Sequence, residues 1–191
     1  MRAHEIINEL FSPSFKPTQT ENWRNVYDNA SHKQFSFDID NNNYIVSLDA
    51  MPGIGHEILR VEFGLKKPGE IMQWDIAKTG SSARVMELVA YSIRRALADG
   101  ATKGLFFTAK EPSRQKLYTV LAKTIAANTG WVMREDLARW LNTSQEYPYL
   151  ILSQSFADRL ERAKEEQGDV ALQPALLRQP DTFGALPIRM D

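Results

Sequence analysis

From residue 35 onward the chain alternates apolar and polar side chains. "QFSFDI", "YIVSLDAM" and "EILRVEFGL" place an apolar residue at every second position, with Val61, Phe63 and Leu65 interleaved by Glu62, Gly64 and Lys66. A period of two belongs to a strand with one covered face. "DIDNNN" and "MPGIG" supply turn chemistry between the runs, which predicts an antiparallel meander. "EIMQWDIA", following "KKPG", reads as a fourth strand.

After Gly80 the period becomes helical. Val85, Leu88, Val89, Ala90, Ile93 and Leu97 share one broad face, with Ser81 or Ser82 as cap and Gly100 as stop. "TKGLFFTA" is a short apolar run that predicts a buried strand. Pro112 and Ser113 then open a second helix with Leu117, Val120, Leu121, Thr124 and Ile125 on one side, closing at "NTG". Strand, helix, strand and helix over 71–128 predict a right-handed crossover joining two parallel strands. Beyond Trp131, "VMREDLARWL" reads as helix, "YPYLILS" as a last strand and "SFADRLERAKEEQ" as a charged helix ended by Gly168.

The ends are less regular. "AHEIINELF" sets Ile6, Ile7, Leu10 and Phe11 at helical spacing before Pro13 and Pro17. Residues 12–34 are polar and broken, with Trp23 and Tyr27 expected to anchor them. The last stretch, with Pro174, Pro180, Gly184 and Pro187, reads as an extended tail. The expected class is α+β: an antiparallel meander followed by a β-α-β-α unit around a central mixed sheet. One domain is expected over 1–153, with a charged helix and Pro-rich tail over 154–191.

Composition narrows the chemistry. A formal charge of −1 creates no general attraction to nucleic acid or anionic membrane. The absence of cysteine removes disulfides, thiolate metal sites and a cysteine nucleophile together. No apolar run reaches the length of a signal peptide or membrane span, so a cytosolic protein is expected, neither secreted nor membrane-bound. His4, His32 and His56 are widely separated and fit no metal-binding spacing. His56 beside Glu57 reads as a base over a cleft or as a hairpin-tip residue. Asp38, Asp40 and Asp49 read as a solvated strand face. Ser113 lacks an evident His and acid for a nucleophilic role. Arg94, Arg95, Lys110, Arg114 and Lys116 group in adjacent elements and read as a modest basic face for phosphate or nucleic acid or, with Asp99 and Glu111 diluting them, as a solvated face, which is the expected case.

Two stretches carry more. "KTGSSARV", residues 78–85, joins a strand to a helix through Gly80, and in "AKEPSRQKLY" Tyr118 stands seven residues after Glu111. Together with the element order, these resemble the GCN5-related N-acetyltransferase (GNAT) fold over 71–131. "AKEPSR-x-KLY" is also similar to a stretch in a group of tailed-phage proteins.

The GNAT resemblance implies acetyl-coenzyme A as cofactor, its pyrophosphate held by Lys78, Thr79, Gly80, Ser81, Ser82 and Arg84 at a helix N-terminus that offers unpaired N–H donors. It implies Tyr118 as the acid that protonates the departing thiolate. Against this, the family's repeated glycines and the arginine before them are absent, and a capped helix start explains the same residues. Tyr118 beside Leu117 equally fits an aromatic at a core boundary. The second helix also runs about two turns beyond the family's pattern before Gly130 and Trp131, and this extension is expected to rest on the N-terminal segment or another subunit.

The expected function is therefore a phage-type protein with an eroded coenzyme loop. Such a protein is non-catalytic, needs no cofactor, and binds a virion or host protein or self-associates through its tail, in a virion or host cytoplasm. The alternative is an acetyl-coenzyme A-dependent N-acetyltransferase acting on an amine.

Overall fold

A computed structural model describes residues 16–51, 54–66, 82–110, 112–141 and 146–167. Seven strands form one mixed sheet: β1 (Arg24–Asp28), β2 (His32–Ile39), β3 (Asn42–Met51), β4 (Gly55–Leu65), β5 (Gly104–Ala109), β6 (Val132–Met133) and β7 (Tyr147–Leu152). Their order across the sheet is β1-β2-β3-β4-β5-β7-β6. The helices are α1 (Ser82–Leu97), α2 (Pro112–Thr129), α3 (Glu135–Leu141) and α4 (Gln154–Gln167).

β1 to β4 pair antiparallel in sequence order, as the alternation predicts. The β2–β3 turn takes Asp40 and Asn41 to φ values of 49° and 61°, the left-handed pair that a two-residue hairpin loop requires and that Asp and Asn tolerate. β5 lies parallel to β4, with α1 between them in the chain, and β7 returns antiparallel to β5.

Three elements differ from expectation. The parallel partner of β5 is β4, the third predicted meander strand; the run 70–77 expected there lies outside the described residues, as do the predicted N-terminal helix and C-terminal tail. β1 falls in the stretch read as irregular. All five of its residues are exposed and its register slips between Asn25 and Tyr27, so no apolar alternation marks it. Tyr27 is 52% exposed and lies beside the His32 ring rather than in the core, whereas Trp23 does anchor its segment: it packs on Phe35 and Tyr91 and donates to Ser92. In "VMREDLARWL", Val132 and Met133 pair with β7 before the helix begins at Glu135.

The sheet has a core on each side. α1 and α2 pack on one face, over Leu48, Leu59, Val61, Leu105, Phe107 and Ile151. On the other, Leu137, Trp140 and Leu141 of α3 and Phe156, Ala157 and Leu160 of α4 cover Ile58, Phe106, Leu150 and Leu152. β5 contributes to both cores, which is why its sequence is continuously apolar. The C-terminal half of α2 rests on this same sheet, with Ile125 and Ala126 in the first core and β6 and β7 as neighbours.

Where β4, β5 and β7 meet, a Cβ on Gly104 would lie 2.4 Å from Leu152 Cδ2 and 3.2 Å from the Ile151 carbonyl oxygen. Gly104→Ala is therefore expected to destabilise by about 1–3 kcal/mol, the usual cost of overpacking, read as a lowered urea midpoint.

Candidate functional site between the parted strands

β4 and β5 pair at Ile58↔Gly104, Leu59↔Leu105 and Arg60↔Phe106, and there the parallel ladder ends. β4 continues to Leu65 on β3, and β5 continues to Ala109 on β7. Beyond Arg60 and Phe106, each strand follows its outer neighbour and the two part. Such an opening in mid-sheet is where a ligand could lie between strands without breaking either hairpin. A meander, a helix, a parallel strand that parts from its partner and a second helix bearing Tyr118 make the α+β mixed sheet expected from sequence, with β4 as the parallel partner of β5.

Among solved structures, the chain is similar to mutant forms of the spermidine/spermine N-acetyltransferase SpeG from Vibrio cholerae, with 15% sequence identity and a TM-score of 0.38, covering 70% of this chain and 74% of that chain. No family model matches the chain, and no curated protein matches it.

On the α1/α2 side of the opening, aromatic rings converge. Tyr118, on the second turn of α2, is 7% exposed. Its ring centroid is 5.5 Å from Phe63 of β4 and 5.4 Å from Phe107 of β5, the latter edge-to-face, with Tyr149 of β7 at 6.1 Å. The tyrosine thus touches both parted strands and fills the helical side of the gap. Tyr149 secures the helix: its hydroxyl donates to the Gln115 carbonyl at 2.7 Å.

On the opposite side the opening is polar. Glu62 of β4 pairs with Arg60 at 3.1 Å. Burial holds the Glu62 carboxyl above its ordinary range; Arg60 opposes this, and the nearby Asp49 and Glu146 carboxylates add to it. Across the gap, Thr108 of β5 donates to Glu146. Asp49 accepts from Ser47 at 2.7 Å through one oxygen and faces His32 Nδ1 through the other. The carboxylate therefore stands between imidazole and hydroxyl, an order that gives the serine no base. Glu62, Thr108 and Glu146 were not singled out from sequence, because Glu62 reads as one polar position of an alternating strand and Glu146 lies 84 residues further along (146 less 62).

The predicted coenzyme residues are divided. Lys78, Thr79, Gly80 and Ser81 lie outside the described residues, and Ser82 opens α1. Arg84 is engaged by the chain itself: its Nε and Nη2 reach both oxygens of Glu21, the latter at 2.8 Å, and Nη1 donates to Glu87. Glu21 sits at the end of a 3-10 turn, Gln19–Glu21, where its carboxylate also accepts the Thr18 N–H at 2.6 Å in a reciprocal cap. Burial pushes the Glu21 carboxyl up, but the hydrogen bonds from Arg84 and Thr18 outweigh it and hold the group below its ordinary range. The guanidinium is thus shared by two carboxylates of the chain.

The remaining candidates have structural partners. Arg159 Nη2 of α4 donates to both oxygens of Glu57 at 2.9 Å, while His56 beside it is exposed on β4. Asp38 accepts from Asn22 and Asn43. Among the described residues, no group of three or more His, Cys, Asp or Glu could hold a metal ion, and no helix is long and apolar enough to cross a membrane.

Proposed function

We propose that this chain is a non-catalytic binding protein on an acetyltransferase-like frame, its partner another protein. The observation that carries this reading is Tyr118 wedged between Phe63 and Phe107, where its own side chains occupy the slot a thioester arm would enter. Glu21 and Glu87 on Arg84 support it from the other end of the cofactor path. The resemblance to tailed-phage proteins suggests that the partner belongs to a phage particle or its host.

One observation favours a second reading, acyl transfer from coenzyme A to an amine: β4 and β5 do part. In that case Glu62, raised by burial, would accept the amine proton and Tyr118 would return a proton to the thiolate. Calorimetry with acetyl-coenzyme A distinguishes the two. No heat at millimolar ligand is the expected result; micromolar binding, with turnover of an amine acceptor that is lost in Tyr118→Phe, would overturn the proposal in favour of the enzyme.

A further inference from the structure

We draw no further inference here: the strongest candidate, the edge strand β1 with Val26 and Tyr27 exposed on it, ends the sheet among the described residues, and nothing in the structure shows what covers it.

Discussion

Tyr118→Ala is expected to destabilise the protein by about 3–5 kcal/mol, the cost of removing a large aromatic side chain from a packed site. The size follows from its position. The ring is 7% exposed and touches Phe63, Phe107 and Tyr149, so it is the piece of α2 that contacts both strands where their ladder has ended. Elsewhere β4 and β5 are held by backbone bonds; here that work passes to side chains. Truncation would leave a cavity lined by rings of three strands, which cannot close without moving the hairpins that carry them. Tyr118→Phe keeps the ring and should cost only about 1 kcal/mol. Urea denaturation of both variants measures the difference. A loss for alanine as small as that for phenylalanine would show that the ring is not the wedge described.

Arg84→Ala should cost about 2–3 kcal/mol. Removing one partner of a fully buried ion pair costs more, about 3–5 kcal/mol, but Arg84 is 32% exposed at its side chain and solvent screens part of the loss. What remains is Glu21, 10% exposed at its side chain and deprived of the guanidinium that holds both its oxygens. The sign with pH is fixed. In the native protein the Glu21 carboxyl lies below its ordinary range, so the stability it contributes is fully present above that range and is lost as pH falls through the folded value. Without Arg84, burial becomes the larger influence and the carboxyl rises. The stability gap between native protein and variant should accordingly be widest near neutral pH and narrow in acid, which denaturation midpoints at the two conditions would record. A gap that widens in acid would refute the assignment of Glu21 as an ionised partner.

Much of the frame is legible in local pattern. Phe35 and Phe37 alternate with Ser36 and Asp38 because β2 has one apolar face, and "DIDNNN" encodes a turn that places two residues in left-handed conformations. Val85, Leu88, Val89 and Ile93 recur at helical spacing because α1 buries one side, and all four are fully enclosed. Leu105, Phe106 and Phe107 are apolar in succession because β5 has a core on both faces. β1 leaves no such trace, since an exposed, bulged edge strand buries nothing that would impose a period.

The candidate site was less legible. Tyr118 stands out in the sequence by its spacing from Glu111, but its enclosure depends on Phe63, 55 residues earlier (118 less 63), and on Phe107 of a different strand. Glu62, Thr108 and Glu146 lie on three separate segments, and nothing local distinguishes them from ordinary solvated positions. Arg84 reads as a cation beside a turn; that it is already satisfied depends on Glu21, 63 residues away.

The sequence by itself therefore determined the strands β2 to β5 and β7 and the helices that bury an apolar side, because a repeat of two or 3.6 residues is a property of neighbours along the chain. The tertiary structure alone decided that β4 is the strand running beside β5, that their ladder stops at Arg60 and Phe106, and that Glu21 meets Arg84. Those outcomes depend on which distant groups compete for the same space, and no local period encodes that competition.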